Sequence, residues 1–428
     1  MKQGHIKDLG DGLIIRYGRP EDAEELADFQ AELNTGQGES SEGLRVWTLD
    51  LIRARLPGLD ASHFTVVEDM NNGSIVSSLN LISQNWSYGG IEFGVGRIEL
   101  VATRPDYRRR GLVREQVEVV HEWSAKRDEL IQAITGIPWY YRKFGYEMAL
   151  ENAGGRVGNA EGVPKLKRGA VETYRVRAAS VDDLPFLEEV YGEGMKRYLV
   201  ACVRGRCMWR YELSGSSSKS SHKREIRIIE METGERVGLL VYSASLWGNR
   251  ISMDAYELIS GVSWGAVTPS VLRYLRRTGE EYAARENTEC ALQITFSLGT
   301  EHPAYQETGA MFDMIDRPYA WYLRVPDIVR FVTRVSPVLE ERLASSAKAK
   351  YSGDLKLSFV TDGLKILFDE GRIISIEPWM ATQEDSRLEP RVRDGLFPPL
   401  TFLQVLFGFR SVNDLEYAFP DCLITSQD

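Results

Sequence analysis

Cysteine is scarce in this chain: Cys202, Cys207, Cys290 and Cys422 are the only four in 428 residues, and none stands in a CxxC spacing. So few thiols exclude a disulfide framework or a zinc site as an organising device, and they predict a reducing, cytoplasmic setting with no metal. Long apolar runs are missing as well. Nothing approaches the roughly 18 apolar residues of a membrane helix, and the first eleven residues are polar, so neither membrane insertion nor export is expected. Positive charge is outnumbered, 52 Lys and Arg against 62 Asp and Glu, and the net charge of −10 argues against nucleic acid as a partner. Of the five histidines, His63, His121, His222 and His302 fall in no nucleophile or metal pattern, and GxSxG, HExxH and GxxxxGK[ST] are absent.

What is present is ordinary globular material, 43% hydrophobic and 27% charged, in a chain long enough for three domains. The chain also repeats itself. Residues 14–29, IIRYGRPEDAEELADF, align without gaps on 175–190, RVRAASVDDLPFLEEV, pairing Arg16 with Arg177, Asp22 with Asp183 and Leu26 with Leu187. A second anchor recurs at nearly the same offset, Tyr141 and Gly145 of PWYYRKFG matching Tyr305 and Gly309 of PAYQETG. Two anchors at one spacing predict a duplicated α/β domain. The middle of the unit survives in the first copy alone, where Arg108-Arg-Arg-Gly111-Leu-Val113 has no counterpart in GAVTPSVLRYLRRTG. Residues 152–169, with five glycines, read as the linker between copies, and the serine-rich run at 214–221 as a mobile exposed loop.

Residues 93–103 predict a strand, and Leu112, Val113, Val117, Val120 and Trp123 predict one apolar face of a helix over 112–126. Between them lies RPDYRRRG. A strand, a basic glycine turn and a helix N-terminus make an anion site, because unpaired N–H groups and the helix dipole converge there. On residues alone the turn also fits a solvated surface. Tyr141 likewise fits core packing beside Tyr140, Leu100, Val101 and Thr103 fit sheet core, and Glu99 fits a solvent-facing strand carboxylate.

Together VATRPDYRRRGLV and YYRKFGYE resemble the GNAT superfamily of N-acetyltransferases. The resemblance implies acetyl-CoA as cosubstrate, its diphosphate held by Arg108, Arg109, Gly111 and Leu112 and its pantetheine arm paired with the backbone of Leu100, Val101 and Thr103. Val113 departs from the small residue that closes the superfamily's loop. The tail, DLKLSFVTDGLKILFDEGRIISIEP followed by FPPLTFLQVLFGFRSVNDL, is similar to the sterol-carrier-protein-like domain that ends acetyltransferases of the enhanced-intracellular-survival (Eis) type.

That family implies an α/β plus α+β fold: an active GNAT domain at 1–150, a degenerate GNAT-like domain at 165–305 and a sterol-carrier-protein-like α+β domain at 310–428. It also implies a homohexamer, an acceptor pocket where the first and last domains meet, and a small-molecule amine acceptor such as an aminoglycoside or other polyamine. Tyr141 matches the tyrosine that protonates the departing thiolate. The base is either the C-terminal carboxylate of Asp428 or Glu99. Rival readings are a hydrophobic-ligand carrier, suggested by the tail, and a pseudoenzyme that binds acetyl-CoA without turning it over.

Overall fold

The apolar-rich stretches at 74–88 and 91–103 form the two longest strands, joined by a tight turn in which Gly89 (φ +53°) and Gly90 (φ +86°) both take the left-handed backbone that such a hairpin requires. Around them, a computed structural model describes residues 4–34, 41–288, 290–380 and 393–424. The first part of the chain comprises β1 (His5–Gly10), β2 (Leu13–Tyr17), α1 (Ala23–Asn34), α2 (Ser41–Ile52), β3 (Phe64–Asp69), β4 (Ser74–Tyr88), β5 (Ile91–Thr103), α3 (Leu112–Lys126), β6 (Ile131–Ile134) and β7 (Glu147–Asn152). The second comprises β8 (Gly155–Asn159), β9 (Tyr174–Ala178), α4 (Leu184–Met195), β10 (Val200–Cys202), α5 (Arg206–Arg210), β11 (Arg224–Met231), β12 (Arg236–Ser243), β13 (Arg250–Leu258), α6 (Trp264–Glu286), β14 (Gln293–Phe296), α7 (Tyr305–Thr308) and β15 (Met314–Asp316). There follow β16 (Tyr319–Arg324), α8 (Ile328–Ala344), β17 (Gly353–Ser358), β18 (Gly363–Asp369), β19 (Arg372–Pro378), β20 (Gly395–Leu396), α9 (Phe402–Leu406), α10 (Val412–Ala418) and β21 (Leu423–Ile424).

Two large sheets repeat one topology. Their orders are β7-β16-β6-β5-β4-β3-β2, with β1 beyond β2, and β15-β8-β14-β13-β12-β11-β9. In each, a single parallel pair, β5 with β6 and β13 with β14, interrupts antiparallel neighbours. The units exchange a strand: β8 lies between β14 and β15 of the second sheet, and β16 lies between β6 and β7 of the first. This corrects two readings of the sequence. The expected linker at 152–169 contains β8, and β16 belongs to the first sheet although it lies within 310–428. The physical reason is burial. Ala320, Tyr322 and Leu323 of β16 are almost fully buried, and the gap between β6 and β7 gives the strand ladder partners on both sides.

The repeat seen in sequence is a repeated ion pair. Arg16 reaches Asp22 with two bonds of 2.6 and 2.9 Å, and Arg177 reaches Asp183 with bonds of 2.8 and 2.9 Å. A second carboxylate, Glu68 or Glu230, receives the Nε–H of each arginine.

The C-terminal strands form a five-stranded sheet, β19-β18-β17-β20-β21. Its core is continuous with the first sheet: Phe331 of α8 packs edge-on against Tyr88 and Phe93 and also meets Phe407. Among the described residues, no helix is long and apolar enough to cross a membrane. The serine-rich run is docked rather than free. Asp50 of α2 is 2% exposed, and a buried carboxylate needs donors, which the backbone N–H and hydroxyl of Ser217 supply at 2.8 and 2.6 Å. His222 then stacks on Trp47 with ring centroids 3.6 Å apart.

Candidate active site

The parallel ladder between β5 and β6 covers Val95, Gly96 and Arg97 and then stops, although β5 continues to Thr103. The two strands therefore diverge. Just beyond the divergence β5 bulges: Glu99 opposes Asn80, Ala102 opposes Ser78, and Leu100 takes a φ of +53°. The extra residue brings Ile98 and Val101, three apart, to the same apolar cluster beside α3, while Leu100 and Ala102 enter the cluster under α1. Gln30 of α1 donates to the Leu100 carbonyl at 2.9 Å and fixes the bulge. The result is a wedge whose β5 wall, Leu100, Val101 and Thr103, has no strand partner on the β6 side among the described residues.

The basic turn closes one end of this wedge. Arg108 is exposed, and its Nε–H donates to the Thr103 carbonyl at 3.1 Å, tying the turn to the strand end. Arg109 (φ +63°) and Gly111 (φ +81°) both lie in the left-handed region, and Gly111 caps α3 with no side-chain bond to the helix N–H groups. A Cβ at Gly111 would meet no protein atom within 4 Å, so the protein's own demand for glycine here is conformational. Leu112 is buried in the core and starts the helix. Two cations that sequence reasoning passed over join this turn. Arg114 belongs to the first turn of α3, and Lys143 places its Nζ 3.6 Å from the Tyr140 ring centre. Burial and the charge of Arg114 hold the Lys143 ammonium below its usual range. An anion at this helix end would relieve that repulsion. The signal was available, since Lys143 follows Tyr141 by two residues and Arg114 follows Gly111 by three.

Tyr141 lies in the loop after β6 and packs in the same apolar cluster as Ile98 and Val101 of β5. Its ring is 3% exposed, enclosed by Tyr140 at 5.0 Å, Tyr322 at 6.0 Å and Tyr146 at 6.3 Å. Gly136 backs it so closely that a Cβ there would stand 2.1 Å from the ring, so only glycine fits. The exchanged strand holds the first half of this loop. Tyr319 donates its hydroxyl hydrogen to the Gly136 carbonyl, and the Trp139 N–H donates to the Tyr322 hydroxyl at 2.6 Å. Burial first, then Tyr140 and Glu99, push the Tyr141 phenol well above its ordinary value near 10, so it keeps its proton at neutral pH. Among the described residues no group hydrogen-bonds that hydroxyl.

Glu99 is paired rather than solvent-facing. Its side chain is 15% exposed, and Oε1 accepts from Arg97 Nε at 2.7 Å and from Arg97 Nη2. Asp428 lies outside the described residues.

Behind Tyr141, the Tyr146 hydroxyl and His121 Nε2 are 2.8 Å apart. Burial, reinforced by Arg324, lowers the His121 pKa from 6.5 to about 3. The unfolded chain therefore binds a proton here below pH 6.5 that the folded chain refuses, and stability falls as pH drops from 6.5 toward 3, by up to about 1.4 kcal/mol per unit. Urea unfolding between pH 7 and 5 should show this slope, and His121→Gln should flatten it. An unchanged slope would assign the acid sensitivity to other groups.

The second unit keeps the wedge and loses the grip. Pairing between β13 and β14 again stops, at Met253 and Phe296. Residues 259–263 carry no arginine, Ser263 caps α6 with its own hydroxyl, and the Tyr305 hydroxyl is spent on the Gly299 carbonyl at 2.7 Å.

Residues 15–149 match the family described as the acetyltransferase (GNAT) domain. Over that stretch the chain carries a GNAT acetyltransferase domain. A comparison with curated proteins gives no match. Solved structures resemble the chain over nearly its whole length, well beyond the GNAT domain itself. A probable N-acyltransferase of Enterococcus faecalis, described as a conserved protein of unknown function, is 13% identical and superposes over 96% of this chain and 94% of its own with a TM-score of 0.63. A GCN5-related N-acetyltransferase of Kribbella flavida is 15% identical over 97% and 93%, at 0.60, and Eis1 of Mycobacterium abscessus is 13% identical over 97% and 94%, at 0.56. At such identities the likeness is one of fold.

Proposed function

We propose that the protein is an N-acetyltransferase that moves the acetyl group of acetyl-CoA to an amine in the wedge of the first unit. One observation carries this reading: the uncapped, arginine-flanked start of α3 adjoins a strand edge left open by divergence, and Tyr141, whose hydroxyl bonds no group among the described residues, packs in the cluster beside that strand. The residues fit acetyl-CoA. Arg108, Arg109 and the first N–H groups of α3 suit a diphosphate, and the open edge of Leu100, Val101 and Thr103 suits a peptide-like pantetheine arm. Acetyl-CoA would supply the activated acyl group. Tyr141 gives its proton to the thiolate as the C–S bond breaks, and the proton lost by the amine passes to Glu99 or to the C-terminal carboxylate of Asp428.

The resemblance of the sequence to the Eis type further supports a homohexamer in the cytoplasm, a sterol-carrier-protein-like C-terminal region, an acceptor pocket between the first and last parts, and an acceptor of the aminoglycoside or polyamine class. The experiment is a panel of such amines incubated with acetyl-CoA and the purified chain, following free CoA thiol and acetylated amine. Equimolar appearance of both is expected. Thiol release without acetylated amine would reduce the activity to hydrolysis, and neither product would favour a binding protein.

A further inference from the structure

The second unit's wedge is open rather than filled. Between the diverging ends of β13 and β14 lies a cavity of about 930 Å³, to which α4, the first sheet and the C-terminal region all contribute. Its walls include Tyr191, Met195, Leu298, Leu150 and Phe407. Its charged groups are the carboxylates of Glu151, Asp254, Glu257 and Glu301 and the guanidinium of Arg197, and several of them are committed. Asp254 pairs with Arg224. His302, whose side chain has no exposure, accepts the Ala304 N–H at Nδ1 (3.2 Å), and its Nε2 lies 3.1 Å from the Tyr256 carbonyl and 3.2 Å from Arg197 Nη2. Glu257 is 2% exposed: Oε1 takes Arg197 at 2.5 Å, and Oε2 is covered by Gly194, where a Cβ would come within 2.4 Å of it.

Arg197 is committed only in part, its Nη2 meeting both Glu257 Oε1 at 2.5 Å and His302 Nε2 at 3.2 Å. Its side chain is 31% exposed, braced from behind by Glu257 and flanked by the Tyr198 ring at 5.6 Å, and a guanidinium fork carries more donors than one carboxylate oxygen uses. An apolar cavity with one oriented arginine is a receptor for a planar anion attached to an apolar body. The lining also includes Glu151 and Glu301, both exposed, and these would favour a cation instead if they decided the charge of the occupant.

We propose that this cavity is a second ligand site, separate from the acetyl-CoA wedge, in which Arg197 binds the carboxylate of a small organic acid whose apolar body lies between Tyr191, Leu298 and Phe407. Because Leu150 and Phe407 come from the first sheet and the C-terminal region, occupancy would tie all three parts together and raise the stability of the whole chain.

The test uses the full-length protein and three probes of one shape: 4-bromophenylbutanoate, the corresponding alcohol and the corresponding amine. Calorimetry should give one acid per chain, with the alcohol at least about tenfold weaker, as expected when a charge-assisted bond is lost. Bromine anomalous scattering from soaked crystals should place the acid in the cavity. Arg197→Gln alone strands the buried Glu257 and could unfold the protein, so the informative variant is Arg197→Met with Glu257→Gln, which removes both charges together. It should lose the preference for acid over alcohol while still binding acetyl-CoA. No bromine in the cavity, the amine binding there in place of the acid, or an unchanged preference in the double variant would each overturn the proposal. None of these outcomes depends on whether the first unit transfers acetyl groups.

Discussion

Replacing Tyr141 by Phe is expected to lower kcat by about 10²–10⁴ while leaving acetyl-CoA affinity almost unchanged. The expectation rests on what the hydroxyl does in the resting structure, which is to bond nothing among the described residues. The ring does the packing, against Gly136, Tyr140 and Tyr322, and phenylalanine keeps all of it. An interaction that matters only as the C–S bond breaks appears in turnover and not in binding. Tyr140→Phe is the control, because Tyr140 is less buried and carries Lys143 over its ring face. If Tyr140→Phe abolished turnover and Tyr141→Phe did not, the proton donor would be the wrong member of the pair. If neither mattered, the thiolate would leave unassisted.

The second large effect concerns stability. Arg16→Met should destabilise the protein by about 3–5 kcal/mol, because it leaves Asp22 and Glu68 buried without their cation. The arginine side chain is 4% exposed and its partners 11% and 17%. The equivalent change in the second unit, Arg177→Met, should cost less, since that arginine is 39% exposed and the buried Asp183 keeps a second cation, Arg236, at 3.3 Å. The geometry of the two pairs is nearly identical, so the comparison reads the arginine's exposure together with the second cation at Asp183. Urea midpoints of the two variants measure it, and equal losses would mean that neither lessens the cost of losing the arginine.

The same arginines explain what the sequence could reveal. Arg16 and Arg177, each six residues before its aspartate, exposed the duplication because the ion pair is local and both partners fall in one short segment. The turn from Arg108 to Gly111 was legible for the same reason. The exchange of β8 and β16 was not. Nothing in YAWYLR states that its ladder partners are 131–134 and 147–152 and not the strands that follow it, because strand pairing is decided by which edge remains open once the rest has folded. The roles of Tyr319 and Tyr322 in holding the Tyr141 loop were hidden with it. The serine-rich run was misread because composition suggested solvation, whereas the buried Asp50, 167 residues away from Ser217, demanded its donors. Glu99 was recognised as a candidate, but its pairing with Arg97 was passed over, although residues two apart on a strand share a face.

The central claim is that the first unit alone holds the CoA moiety, at the start of α3. Calorimetric titration of the full-length chain with CoA tests it directly. One molecule per chain is expected, and Arg108→Ala should weaken it by about 1.5–3 kcal/mol as a charge-assisted bond to phosphate is lost. Two molecules per chain, or an Arg108→Ala variant with an unchanged dissociation constant, would contradict the account.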